Sequence, residues 1–233
     1  MRFQNRTQAG QRLAALLGAY AGRSDALALG LPRGGVQVAY EVARALSIPL
    51  DVIVVRKLGV PYEPELAMGA IALGGIRVLN ADVVGGLRIP SDVVEAVAAR
   101  EQRELTRRER LYRGDRPLPE LRGRVVILID DGIATGATIR AAITAVRQWQ
   151  PARVIVAAPV AAAATCAELR NEVDELVCAL TPDELYGIGY WYDQFPQVSD
   201  DVVRDLLTQA WQTESTPVDG AHAQDIDQRP PQP

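Results

Sequence analysis

Runs of consecutive apolar residues, separated by segments with helical periodicity, restrict the fold of this chain more than any other feature. The runs at residues 26–31, 50–55 and 125–129 are largely apolar and do not alternate with polar residues. This composition is typical of strands that are buried on both faces. Because such strands alternate with predicted helices, we expect a three-layer α/β/α fold with a mostly parallel central sheet.

Four further segments complete the predicted sheets. Residues 154–160 and 175–180 have the composition of additional buried strands. Residues 67–73 and 76–79 flank the glycine pair at 74–75, a spacing that is typical of a β-hairpin.

The predicted domain covers residues 1–211 and closes with a helix over residues 200–211. Residues 212–233 contain several Pro and Gln residues, little apolar mass and no periodicity. Segments of this composition cannot bury enough apolar surface to fold. We therefore expect residues 212–233 to form a disordered tail.

The charge balance and the lack of long apolar runs exclude some classes of partner. Asp and Glu number 29 and Lys and Arg 25, for a net charge of −4, whereas a dedicated nucleic-acid-binding domain carries a basic excess. No apolar run approaches the roughly 18 residues of a membrane span, and the N-terminus shows no signal-peptide core. We expect a cytoplasmic protein whose primary ligand is neither a membrane nor a nucleic acid. Cys166 and Cys178 are then buried free thiols of a reducing compartment.

Two rare residue types exclude other kinds of chemistry. The only histidine is His222, in the predicted tail, which argues against a histidine-based catalytic triad and a histidine-ligated zinc site. The only lysine is Lys57, and every other basic residue is Arg. No G-x-x-x-x-G-K-[ST] motif surrounds Lys57, so the P-loop of nucleoside triphosphatases is excluded as well.

The segment with the most chemical information follows the predicted strand Val125–Ile129. Asp130 and Asp131 stand at its carboxyl end, where ligands bind in open α/β sheets. A Gly- and Thr-rich turn at residues 132–138 then leads into a helix, whose N-terminus offers free N–H groups and a positive dipole end to a phosphate. Carboxylates repel a nearby phosphate unless they hold something else, such as a ribose diol or a magnesium ion. The alternative interpretation is a buried acidic pair followed by a capped helix.

These residues resemble the signature with which type I phosphoribosyltransferases bind 5-phosphoribosyl-1-pyrophosphate (PRPP). The match consists of a hydrophobic strand, two acidic residues and A-T-G-x-T, and the resemblance covers residues 1–211. The chain is similar to a bacterial group of predicted phosphoribosyltransferases that share P-R-G-G-V, V-R-K-x-G and D-D-G-I-A-T-G-A-T. The resemblance implies that Asp130 and Asp131 are catalytic and hold the ribose hydroxyls and Mg²⁺. It also implies that the 5-phosphate of PRPP is bound by Ala134, Thr135, Gly136, Ala137 and Thr138.

A Pro-Arg-Gly-Gly turn lies between the first predicted strand and its helix. In the resemblance this turn is the pyrophosphate loop, in which Gly34 and Gly35 bring backbone N–H groups close to the ligand and Arg33 adds a charged fork. A tight strand-to-helix turn without a ligand is the alternative interpretation.

The second apolar run ends in Arg56 and Lys57, ahead of a predicted loop at residues 58–65. This layout resembles the opening of the mobile hood loop in adenine phosphoribosyltransferases, and it implies that both residues lie near the pyrophosphate. We expect Lys57, the sole lysine of the chain, to be catalytic and to meet the charge that develops on the pyrophosphate. Such a loop closes over a reacting centre and excludes water. The alternative is solvated charge at the end of a strand. The resemblance further implies a small hood and one antiparallel strand, which we assign to residues 67–73.

Residues 186–193 are rich in aromatic side chains and form either a hydrophobic subcore or the acceptor pocket. They resemble the F-V-V-G-Y-x-x-D segment of hypoxanthine-guanine phosphoribosyltransferases, which implies that Tyr186 stacks on an acceptor ring with Asp193 nearby. Two departures separate the chain from those enzymes. Ala134 stands where they have an acid, and the lysine that reads their 6-oxo group has no counterpart.

The resemblance implies transfer of the phosphoribosyl group of PRPP to a nitrogen nucleophile, a nucleobase or related ring, with release of pyrophosphate. Its ligands would be PRPP, a small-molecule acceptor and Mg²⁺, and a homo-oligomer is left open. The alternative is a PRPP- or nucleotide-sensing regulator on the same fold, with little turnover. An acidic-pair phosphorelay receiver fits poorly.

The Arg- and Glu-rich helix at residues 100–116 is interpreted as a solvated helix with i,i+4 ion pairs, and an interaction surface is the alternative.

Overall fold

The computed structural model describes residues 2–214. Its elements, in chain order, are α1 (Arg6–Leu16), β1 (Ala26–Gly30), α2 (Gly34–Leu46), β2 (Leu50–Val52), β3 (Val55–Val60), β4 (Glu63–Ala72), β5 (Arg77–Leu79), α3 (Ala81–Gly86), α4 (Ser91–Arg113), β6 (Val125–Ile129), α5 (Ala137–Arg147), β7 (Arg153–Val160), α6 (Ala163–Leu169), β8 (Glu175–Leu180) and α7 (Asp200–Glu214). Short 3-10 turns lie at Gly18–Tyr20, Leu73–Gly75 and Ile188–Trp191.

The central sheet has five parallel strands in the order β2-β1-β6-β7-β8. Every residue of β1 and β6 is buried, which explains why their sequences are apolar on both faces. Alternate residues of β6 enter different apolar clusters: Ile127 packs on the side of α1, α2 and α7, and Leu128 on the side of α5 and α6. The predicted α/β/α fold with a mostly parallel sheet is therefore confirmed.

Strands β3, β4 and β5 form a second, antiparallel sheet. In the chain, this sheet follows β2 and precedes β6. With α3 and α4 it makes up residues 55–113, which we call the hood. The hairpin predicted around the glycine pair at 74–75 is confirmed, since β4 pairs with β5 across it. The antiparallel strand expected at residues 67–73 lies in β4, and therefore in the hood and not in the central sheet.

The structure corrects the sequence interpretation of residues 50–65. The single strand predicted over residues 50–55 is two strands, because β2 ends at Val52 and β3 begins at Val55. Arg56 and Lys57 thus lie inside β3, and the predicted loop at residues 58–65 is mostly paired strand. The pairing of β3 with β4 shifts register on both sides of Gly59. This glycine, which is typical of a loop in the sequence, is thus accommodated within the strand as a bulge.

The helix that was predicted to be solvated is only partly so. Arg107 and Arg108 pair with Glu104 at the i,i+3 and i,i+4 spacings, as expected. Arg113, at the end of α4, is buried and donates from its Nη1 atom to Oδ2 of Asp51 in β2 across 2.7 Å. This buried ion pair fastens α4 to the central sheet, and it accounts for an aspartate within an apolar run.

The last helix, α7, continues to Glu214, past the helix end predicted at residue 211. The remainder of the predicted tail, including His222, lies outside the described residues. Across residues 2–214, no helix combines the length and the apolar character that a membrane span requires.

Candidate functional site

Asp130 and Asp131 follow β6 at the carboxyl edge of the central sheet. The backbone N–H of Asp131 donates to Oδ1 of Asp130 across 2.8 Å. Burial, together with the charge of Asp131, raises the pKa of Asp130 to about 8. The fold therefore favours the neutral form of Asp130, which reduces the electrostatic repulsion between this carboxyl and a nearby phosphate.

Asp131 is held by two residues that the sequence analysis did not single out. Oδ2 of Asp131 accepts a hydrogen bond from Nε of Arg6 across 2.7 Å. The Arg6 side chain is only 6% exposed. The Tyr192 hydroxyl donates to the backbone oxygen of Asp131 across 2.6 Å. Because Arg6 and Tyr192 lie far from Asp131 in the chain, no local pattern could have identified these contacts.

The turn after the acidic pair leads directly into the N-terminus of α5. Gly136 adopts the left-handed conformation, with φ of 77°, directly before the first residue of α5. An added Cβ would also lie 2.9 Å from a methyl carbon of Thr165, so the position requires glycine. The Thr165 hydroxyl donates to the backbone oxygen of Ala134 across 2.6 Å and fixes the other side of the turn.

A cavity of about 180 Å³ lies in this turn. Its lining includes every residue predicted to bind the 5-phosphate, together with Asp130 and Ile188. The predicted residues are Ala134, Thr135, Gly136, Ala137 and Thr138.

The predicted pyrophosphate loop packs directly against the acidic pair. A Cβ atom on Gly35 would lie 2.7 Å from the backbone oxygen of Ile129 and 2.8 Å from Cα of Asp130, and one on Gly34 would overlap the Asp131 carboxylate. Only glycine fits at these two positions without a shift of the neighbouring atoms. The packing against the acidic pair therefore explains both glycines, whether or not they also contact a ligand. The peptide bond between Pro32 and Arg33 is cis. Nη1 of Arg33 lies 3.9 Å from Oδ1 of Asp200 in α7.

Arg56 and Lys57 line a polar cavity of about 490 Å³ that lies between the hood on one side and Pro32 and α5 on the other. Pro32 and Thr138 line the same cavity, so it borders both the glycine loop and the turn. Arg56 donates from Nε and Nη2 to Oε2 of Glu101, at 2.8 and 2.5 Å. The structure thus brings Arg56 and Lys57 to the site, although it places them inside a strand.

The predicted acceptor residues are not brought to the turn. Tyr186 is 79% exposed, and its hydroxyl donates to Glu184. Asp193 forms an ion pair with Arg2 at 3.5 Å. Among the residues of this segment, Ile188 is the one that lines the cavity in the turn, and it leaves no room for a Cβ on Gly132. Tyr192 is buried and stacks on Phe195, so part of the segment is the hydrophobic subcore of the alternative interpretation.

The acidic pair fits magnesium by its donor atoms. Among the described residues no group of three or more His, Cys, Asp or Glu side chains is placed to hold a metal. Magnesium in phosphate-transfer sites is commonly bound by one or two carboxylates and by the phosphates of the substrate. Asp130 and Asp131 are the residues that could supply the carboxylates.

Comparisons with known proteins agree with this geometry. A solved protein of Thermus thermophilus, TT1426, shares 41% identity and superposes with a TM-score of 0.82, over 90% of this chain and 99% of that one. Two sequences from Mycobacterium tuberculosis, strains CDC 1551 and H37Rv, are each 45% identical over 208 residues and carry the name "Putative phosphoribosyl transferase". The match covers 89% of this chain but 47% of those relatives, so the chain spans about half of their length. The family model for the phosphoribosyl transferase domain matches residues 2–193, and the chain belongs to that family.

Proposed function

We propose that the protein transfers the phosphoribosyl group of PRPP to a nitrogen nucleophile, a nucleobase or a related ring, and releases pyrophosphate. One observation carries this proposal: the acidic pair, the phosphate-binding turn and the glycine loop meet at the carboxyl ends of β1 and β6. Ligands bind at this edge in open α/β sheets. Membership of the family supports the same assignment.

Each part of the site has a role in this proposal. Asp130 and Asp131 hold the ribose 2- and 3-hydroxyls. The turn binds the 5-phosphate through the N–H groups at the start of α5. Gly34 and Gly35 present backbone N–H groups to the pyrophosphate, and the cations of the neighbouring segments stabilise its charge. These cations are Arg33, Arg56 and Lys57.

The acceptor nitrogen forms a bond to C1 of the ribose while the bond from C1 to the pyrophosphate oxygen breaks. The ribose carries positive charge in the transition state, and the departing pyrophosphate carries negative charge. The protein therefore acts mainly by holding the reactants in position and by stabilising the leaving charge. Magnesium, when bound with PRPP, would neutralise part of the pyrophosphate charge.

The turn restricts how the acceptor is activated. Ala134 offers no proton-accepting side chain, and Ile188 presents an apolar surface at the same cavity. We therefore propose an acceptor whose attacking nitrogen needs no deprotonation by the residue at position 134. This feature sets the site apart from that expected of a hypoxanthine or guanine enzyme.

One observation favours the second candidate, a PRPP- or nucleotide-sensing protein with little turnover. An aromatic side chain facing the turn would support an enzyme, but Tyr186 is exposed and does not line the cavity. A sensor would bind PRPP with the same residues and would release no pyrophosphate with any acceptor.

The proposal is tested by measuring PRPP binding and pyrophosphate release in the presence of magnesium, with a panel of nucleobases and amines. We expect PRPP to raise the melting temperature by mass action, and at least one acceptor to release pyrophosphate. Asp130→Asn/Asp131→Asn should abolish both effects and remain folded. Asp201→Asn, an exposed aspartate on α7 that pairs with Arg204, serves as the control. An unchanged melting temperature at millimolar PRPP would refute the proposal, and binding without release would favour the sensor.

A further inference from the structure

The polar cavity between the hood and α5 is lined by more positively charged side chains than the resemblance accounts for. Two of its arginines, Arg100 and Arg108, come from α4, the helix that the sequence analysis interpreted as solvated. Among the described residues that line the cavity, Arg56 and Lys57 bring the number of cations to four, and Glu101 supplies the carboxylate.

Glu101 holds two of these cations in defined positions, unlike the side chains of a chance cluster of surface charge. It is buried, and it accepts hydrogen bonds from Arg56 of β3 and from Nε of Arg100, the latter across 3.0 Å. Burial alone would raise the pKa of Glu101, but the bonds from Arg56 and Arg100 outweigh it and hold that pKa below its usual value. One ionised carboxylate thus orients two guanidinium groups from different elements.

Arg108 is oriented in the same way from outside the cavity. Its Nε atom donates to Oε1 of Glu104 across 2.7 Å, and its side chain is partly buried. Since guanidinium groups remain charged at any accessible pH, the excess of cations around the cavity persists. A bound anion with several oxygens would relieve the repulsion between them, and Arg forks match phosphate oxygens especially well.

The position of the cavity identifies that anion. Pro32 precedes Gly34 and Gly35 in the glycine loop, and Thr138 belongs to the phosphate-binding turn. The cavity therefore begins where the pyrophosphate of PRPP would start and ends at α4.

We infer that α4 supplies Arg100 and Arg108 to the pyrophosphate site, where they bind the phosphoryl group that lies farther from the ribose. The inference rests on the proposed function and extends it to a helix outside the signature segments. It also assigns a role to the helix at residues 100–116, for which the sequence left a solvated surface and an interaction surface open.

The test measures affinity for three probes by calorimetry: inorganic pyrophosphate, ribose 5-phosphate and PRPP, each with magnesium. We expect Arg100→Gln/Arg108→Gln to weaken pyrophosphate and PRPP by about tenfold or more, as for hydrogen bonds to charged groups. Its affinity for ribose 5-phosphate, which lacks the pyrophosphate, should stay the same. The two single variants should show intermediate losses.

Arg103→Gln/Arg110→Gln is the matched control, because it removes the same charge from exposed positions of the same helix that do not line the cavity. An equal loss in this control would mean that only the overall field matters, and the inference would be wrong. It would also be wrong if ribose 5-phosphate weakened in parallel, or if the wild-type protein bound ribose 5-phosphate but not pyrophosphate. A wild-type protein that binds none of the three probes would instead overturn the proposed function.

Discussion

Nε of Arg6 lies 2.7 Å from Oδ2 of Asp131, although 125 residues separate them in the chain. The same guanidinium donates from Nη1 to the backbone oxygen of Pro196, and its Cζ atom lies 3.7 Å from the centroid of the Phe195 ring. One side chain at the start of α1 thus connects the acidic pair to the C-terminal aromatic segment.

We predict that Arg6→Met lowers the free energy of unfolding by about 3 kcal/mol, because removing one partner of a buried pair leaves the other charge uncompensated. Urea denaturation measures the change. Arg12→Met, an exposed arginine on the same helix, should cost less than about 1 kcal/mol. Adding Asp131→Asn to Arg6→Met should recover part of the loss, and strict additivity of the two changes would show that they do not interact.

The pKa of Asp130 predicts a pH dependence of stability in the ligand-free protein. Its ordinary value is 3.8 and its value in the fold is about 8, so the folded state favours the neutral form. The contribution of this group is complete below about pH 4 and is lost as the pH rises through about 8. With EDTA present, Asp130→Asn should therefore gain stability relative to the wild type between about pH 5 and about pH 8.5. A difference that is constant over this interval would contradict the prediction.

Gly35→Ala should destabilise the protein by roughly 1–3 kcal/mol, because the added methyl group meets the backbone of Ile129 and Asp130. Gly85→Ala in α3 is the control, since a Cβ there meets no atom within 4 Å. A helix normally gains about 0.5–1 kcal/mol from this replacement. Urea midpoints of both variants decide the matter, and equal effects would mean that the loop can move away from the acidic pair.

Lys57→Ala should lower the rate of pyrophosphate release by roughly 10²-fold, as expected when one preorganised donor to a developing charge is removed. PRPP affinity should change much less, because the ammonium engages mainly in the transition state. Single-turnover rates and PRPP affinity are the measurements, with Lys57→Arg as a variant that keeps the charge. A loss of affinity as large as the loss of rate would assign Lys57 to ground-state binding instead.

The structural features that depend on residues close together in the chain were predicted well from the sequence. The apolar runs predicted the strands of the central sheet, apart from the break between β2 and β3, and the residues of the Gly/Thr-rich turn after Asp130 and Asp131 line one cavity. What the sequence missed depends on distant partners. The sequence predicts Lys57 at the end of a strand, whereas it lies within β3 and pairs with Ala70 of β4. Ala70 lies beyond residues 58–65, whose Gly and Pro content is typical of a loop. Arg6 carries no local signal, since its role comes entirely from Asp131.

The buried pair of Arg113 and Asp51 has a consequence for how the protein meets its ligand. It ties the end of α4 to β2, and a further bond from Arg113 to the backbone oxygen of Val52 tightens the attachment. The helix that presents Arg100 and Arg108 is therefore ordered as the chain folds. The conformational entropy of immobilising it is lost once, during folding, and does not oppose each encounter with an anion. Association should accordingly be fast and limited mainly by diffusion and charge.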